Sequence, residues 1–134
     1  MAKDLTVKEA YFVGSSRKDL QRLPREVRYA LAYAILLAQR GGKHPNAKVL
    51  KGFGGDGVLE VVEDFDTNTY RAVYTVKFDT AVYVLHAFMK KSTQGRKTSA
   101  ADMDMIAKRL RQAQTAHDAA KAAREIQTRD RGES

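Results

Sequence analysis

The stretch Tyr70–Lys91, YRAVYTVKFDTAVYVLHAFMKK, decides the fold. Val, Tyr and Phe dominate it, residue types that pack well on a pleated surface, and Asp79-Thr80 interrupts it with a tight turn. It reads as two neighbouring strands from the middle of a sheet. Polar side chains break the apolar run at Arg71, Thr75 and Lys77 on the first strand and at His86, Lys90 and Lys91 on the second. Cations in a core hairpin are expensive to bury unless an anion or a carboxylate meets them. Their grouping points to an anion site at the open end of the hairpin.

Upstream, VLEVVEDF (58–65) alternates with period two, which puts Leu59, Val61, Glu63 and Phe65 on one face and Val58, Glu60, Val62 and Asp64 on the other. Asp66-Thr67-Asn68-Thr69 joins it to the next strand with good turn formers. The acids at 63, 64 and 66 read as a solvated edge and turn. Glu60 differs, because Leu59 and Val61 shield it and Arg71 is within reach as a partner. Before this strand, six of the nine glycines crowd into GGKHPNAKVLKGFGGDG (41–57), which reads as loop. The run Gly52-Phe53-Gly54-Gly55-Asp56-Gly57 matches a dinucleotide fingerprint letter for letter, yet that fingerprint needs a helix after it and here a strand follows. Flexible loop is the better reading. Lys43, His44, Lys48 and Lys51 in it are either solvated or phosphate contacts.

At the N-terminal side, VKEAYFV (7–13) reads as a first strand, and Ser16 with Asp19 as a capping pair for a short helix. Pro24 suits the first turn of a second helix, whose apolar face is Val27, Leu31, Ala34, Ile35 and Ala38 and which Gly41-Gly42 ends. After Lys91 comes the polar, basic run STQGRKTSAAD, with Arg96 and Lys97. Ser99 and Asp102 then offer a cap to a last helix with Met103, Ile106, Ala107, Leu110 and Ala113 inward. Residues 118–134 have almost no apolar side chain to bury and read as a frayed helix or a disordered polar tail behind a domain of residues 1–117. The order is β-α-α-β-β-β-α, an α+β fold with a small, mainly antiparallel sheet.

The 134 residues contain no cysteine, which excludes disulfides, thiol catalysis and Cys-based zinc sites. No apolar run has the length of a membrane span and the first ten residues lack a signal-peptide pattern, so a cytoplasmic protein is expected. The net charge of +8 is uneven. Residues 57–85 carry two cations against five acids, whereas residues 86–111 carry seven against two. A polyanion is the expected large partner, and the working identity of the anion is RNA phosphate, with Lys48, Lys51, Lys77, Arg96 and Lys97 as flanking contacts. His44, His86 and His117 have no ligand-type spacing, and neither a metal nor a cofactor is expected.

Three spaced sets, Gly57-Val58-Leu59-Glu60, Tyr70-Arg71-Ala72-Val73-Tyr74 and Leu85-His86-Ala87-Phe88-Met89-Lys90-Lys91, resemble the RelE/ParE toxin superfamily, in particular its phage-derived HigB-like branch. The resemblance covers about residues 8–112. One departure follows Lys91, where members often open the last helix with Thr-Pro and this chain has Thr98-Ser99. The resemblance implies a RelE-like fold and the toxin of a type II toxin–antitoxin module, an endoribonuclease that cuts messenger RNA on the ribosome. It also implies a small helix-turn-helix antitoxin that silences the toxin in a hetero-oligomer. Cleavage by the RNA's own 2′-hydroxyl needs no metal, but needs a base, cations over the non-bridging oxygens and an acid at the leaving 5′-oxygen. By resemblance Arg71 is the phosphate clamp, and Lys90 and Lys91 are acid/base or phosphate-binding groups. Glu60 and His86 both remain open as the base. Two other readings stand beside this one: a toxin of the same fold that binds a protein such as a topoisomerase, and a basic RNA-binding regulatory module.

Overall fold

The computed structural model describes residues 7–55, 57–90, 97–130 and 132. Five strands form one sheet in the order β1-β5-β4-β3-β2, where β1 is Glu9–Phe12, β2 Ala47–Val49, β3 Val58–Phe65, β4 Asn68–Thr75 and β5 Ala81–Lys90. Among the described residues only the β1–β5 pair is parallel. The helices α1 (Ser16–Gln21) and α2 (Arg25–Gln39) carry the chain from one edge of the sheet to the other, and α3 (Ala100–Asp130) follows β5. The fold is thus the expected α+β arrangement with one strand more than the sequence promised. That strand, β2, lies inside the glycine-rich segment, where three residues are too few for alternation to show.

Each face of the sheet has its own core. Leu59, Val61, Tyr70, Ala72, Tyr74, Val82, Val84 and Ala87 pack under α1 and α2. All five α2 positions picked by helical spacing are buried there. On the other face Val58, Val73, Tyr83 and Leu85 meet Ile106 and Ala113 of α3. Leu59 and Val61 therefore part from Val58 as period two requires.

Helix α2 stops as its glycines dictate: Gly41 takes φ +83° and donates to the Ala38 carbonyl, while Gly42 donates to that of Leu37, the pairing of a Schellman end. Pro24 stands just before the helix, in an extended conformation. Three local expectations fail. Ser16 does not cap α1; Ser15 occupies that position, and the Ser16 hydroxyl is buried and donates to the Val84 carbonyl at 3.1 Å. The β4–β5 connection is the five-residue segment 76–80 rather than a tight Asp79-Thr80 turn, because the Thr75 hydroxyl takes the Lys77 amide and ends β4 early. The β3–β4 turn is shorter than expected, with Phe65 facing Asn68 across Asp66-Thr67, both at positive φ (50° and 67°). That is the two-residue turn whose twist matches a hairpin.

Helix α3 runs 31 residues, roughly 46 Å at 1.5 Å per residue. Ile106, Arg109 and Ala113 are its buried residues, and every described residue from Asp118 onward is exposed. Among the described residues no helix is long and apolar enough to cross a membrane.

Candidate functional site

Three cross-strand rows on the α3 face build the site. Pairing aligns Glu60, Val73 and His86 in the first, Val62, Arg71 and Phe88 in the second, and Asp64, Thr69 and Lys90 in the third. With strands about 4.8 Å apart and alternate residues about 6.7 Å apart, the three rows span roughly 10 by 13 Å. Arg71 stands at the centre, diagonal to Glu60 on β3 and to both His86 and Lys90 on β5.

A β-bulge creates this grouping. Tyr74 faces Val84 but Val73 faces His86, so Leu85 has no residue opposite it on β4. Strict alternation from Tyr83 would send His86, Phe88 and Lys90 to the face that Val84 occupies under α2. The extra residue instead leaves Tyr83 and Leu85 in the α3-side core and brings His86, Phe88 and Lys90 to the same side.

Glu60 and Arg71 form a buried ion pair, Nη1 to Oε1 at 2.6 Å, with relative exposures of 2% and 6%. The second carboxylate oxygen of Glu60 accepts from the Thr98 hydroxyl at 2.8 Å. Both oxygens are therefore engaged, one by the guanidinium and one by the residue just ahead of α3. The Thr98-Ser99 departure leaves the helix start intact, since Ser99 accepts from the Asp102 amide at 3.1 Å and donates to Asp102 Oδ2 at 2.7 Å. The other oxygen of Asp102 meets His86 Nε2 at 2.8 Å. The imidazole stacks on Phe88, ring centroids 4.4 Å apart, and its buried Nδ1 has no hydrogen-bond partner among the described residues. At the end of β5, partial burial and then the neighbouring Arg71 charge hold the Lys90 ammonium below the usual lysine value, with Glu60 opposing.

Four of the sequence-selected residues thus come together: Glu60, Arg71, His86 and Lys90. Lys91 and Arg96 lie outside the described residues. Lys48 is exposed on edge strand β2 opposite Glu60, and Lys97 is exposed just before α3. Lys51 is exposed in the glycine-rich loop. Lys77 lies beyond the far end of β4, six residues from Arg71 or roughly 20 Å of extended chain, over the Phe78 ring. Sequence reasoning missed Thr98 altogether and saw Asp102 only as a cap. It also missed Arg109, although Arg109 follows Ile106 by three residues on the inward face of α3.

Residues 18–111 match the family described as "Phage derived protein Gp49-like (DUF891)". Among solved structures, the chain is similar to a mutant of E. coli toxin RelE in the free state, at 19% identity and TM-score 0.54, over 77% of this chain and 97% of that one. It is also similar to a chain of the RelBE2 toxin–antitoxin complex from Mycobacterium tuberculosis, at 19% identity and TM-score 0.44, over 68% of this chain and all of that one. Among curated proteins, none matches.

Proposed function

Because the chain belongs to the phage-derived Gp49-like family and has the RelE-like toxin fold, we propose that it is the toxin of a type II toxin–antitoxin module that cuts messenger RNA. The observation that supports this reading is the convergence of Arg71, His86 and Lys90 on one face, with Glu60 and Asp102 behind them. A pure protein-binding surface needs no such set of acid, base and cation.

In the proposed reaction the RNA 2′-oxygen attacks the adjacent phosphorus and the bond from phosphorus to the 5′-oxygen breaks. The products are a 2′,3′-cyclic phosphate and a 5′-hydroxyl. Arg71, braced by Glu60, donates to the non-bridging oxygens as negative charge builds on them. His86 is the proposed base that takes the 2′-hydroxyl proton, its ring oriented by the hydrogen bond that Nε2 donates to Asp102. Glu60 is the poorer base, having both oxygens already engaged. Lys90 protonates the leaving 5′-oxygen, a task that its lowered pKa eases. Lys91, Lys97, Arg96, Lys48 and Lys51 are proposed contacts along the strand. The described residues supply few acid–base groups beyond these, which favours the ribosome as the place where the substrate is shaped. A helix-turn-helix antitoxin is the proposed inhibitor.

Controlled expression of the wild type and of an Arg71→Ala variant, with growth followed and messenger RNA 5′ ends mapped, tests the proposal. Growth arrest with codon-phased cuts, both lost in a folded Arg71→Ala protein, is the expected result. Arrest without new 5′ ends would replace the nuclease with a protein-binding toxin, and absence of arrest would leave a basic binding module.

A further inference from the structure

We infer that Arg109, a residue remote from the substrate, is a positioning residue that holds the β5 bulge and thereby aims His86. The inference rests on the proposed nuclease reading for its catalytic meaning, while its structural content stands by itself. Leu85 is the inserted residue of the bulge, and its carbonyl oxygen accepts from Arg109 Nη1 at 2.9 Å. Arg109 Nη2 donates to the Ser15 hydroxyl at 2.8 Å, which ties the start of α1 into the same anchor. Arg109 as a whole is only 6% exposed. Its two hydrogen bonds go to a carbonyl and a hydroxyl, and among the described residues no carboxylate forms an ion pair with it.

Burying a cation among neutral acceptors is an expensive way to pack a helix, and an apolar side chain would fill the position at lower cost. What an apolar side chain cannot do is hold a bulge carbonyl. The backbone is shaped to admit the group: Gly14 lies at φ +59°, and a Cβ there would come within 2.8 Å of Arg109 Nε. His86 is the next residue after Leu85, so the direction of the Leu85 peptide sets the root of the imidazole. Its far end is held by Asp102. Both restraints come from α3, seven residues apart on the same helix, and together they fix the imidazole against Phe88, beside the Arg71 row.

The test is the nitrogen spectrum of His86 in full-length protein at pH 8, by two-bond proton–nitrogen correlation, for the wild type, Arg109→Met and Ser15→Ala. The wild type is expected to show one tautomer, protonated at Nε2. Arg109→Met is expected to bring the two ring-nitrogen resonances together as the ring loses its fixed orientation. Ser15→Ala, at an exposed position, is expected to move them the same way by less. A folded Arg109→Met protein with wild-type ring-nitrogen shifts overturns the inference. If Arg109→Met does not fold, unmoved shifts in Ser15→Ala overturn it instead. In cleavage assays kcat is expected to fall about 10-fold or more with KM unchanged, and Arg109→Lys to restore part of it. A wild type that cuts no messenger RNA would sink the nuclease reading while leaving the ring-nitrogen result to decide the positioning role.

Discussion

Replacing Arg71 by Met keeps the length of the side-chain stem but takes the guanidinium away from Glu60, a residue only 2% exposed that keeps the Thr98 hydroxyl and the more distant Lys90 charge. Removing one partner of a buried pair costs about 3–5 kcal/mol where the remaining charge is left uncompensated, and the Lys90 ammonium, which already interacts with Glu60, offsets part of that here. A domain of this size has roughly 5–15 kcal/mol of stability in total, so the variant loses a large share of it. Glu60→Met, which takes away the carboxylate that meets Arg71 Nη1, should destabilise as well. The double variant Glu60→Met/Arg71→Met removes both charges and fills the space with apolar atoms, and should return to within about 1–2 kcal/mol of the wild type. Urea unfolding of the four proteins gives the coupling energy directly, expected at about 3 kcal/mol or more. Coupling below about 1 kcal/mol would mean that the pair is effectively solvated, and the buried-clamp reasoning would fall. The double variant also separates fold from chemistry: it should be folded and should not arrest growth.

Burial pushes the fully enclosed Tyr74 hydroxyl up to about 12, and that hydroxyl has no partner among the described residues. The folded state keeps this proton after the unfolded chain has lost it near 10. The associated stability is therefore complete below pH 10 and is lost as pH rises from 10 to 12, about 2.7 kcal/mol for two units. Tyr74→Phe should be neutral or up to about 1 kcal/mol stabilising at pH 7, with a flatter alkaline melting curve; a loss of more than about 1 kcal/mol would reveal a missed hydrogen bond. Thr67, a β-branched residue at φ 67°, strains the β3–β4 turn. Thr67→Gly should raise Tm by about 2 °C in calorimetry, and a lowered Tm would refute the turn assignment. Lys90→Met removes an ammonium held near Arg71 and should leave a folded protein while abolishing RNA cleavage. Since the folded Lys90 gives up its proton below 10.5, the unfolded chain binds more protons in that window. Wild-type stability should therefore gain on the variant as pH rises toward 10.5, and parallel curves would contradict this.

Much of this architecture was legible because short-range rules govern it. The α2 face followed from helical spacing, its end from Gly41-Gly42, and the α3 start from Ser99 and Asp102. The Glu60–Arg71 pair could be anticipated because a hairpin turn fixes which residues lie opposite one another across only eleven positions. The short edge strand β2 was hidden, since glycines surround a run too brief for alternation.

The sequence by itself determined the types of the longer elements, the strand faces of β3 and the charged residues Glu60, Arg71, His86 and Lys90, because those depend on residue size, polarity and neighbours within a few positions. Tertiary structure alone decided that His86 and Lys90 stand on the side of Arg71. That outcome hangs on one inserted residue, Leu85, whose carbonyl meets an arginine 24 positions away. A pattern of period two carries no mark of where it slips. Where it slips, α3 returns over the sheet with Arg109 on the Leu85 carbonyl and Asp102 on His86.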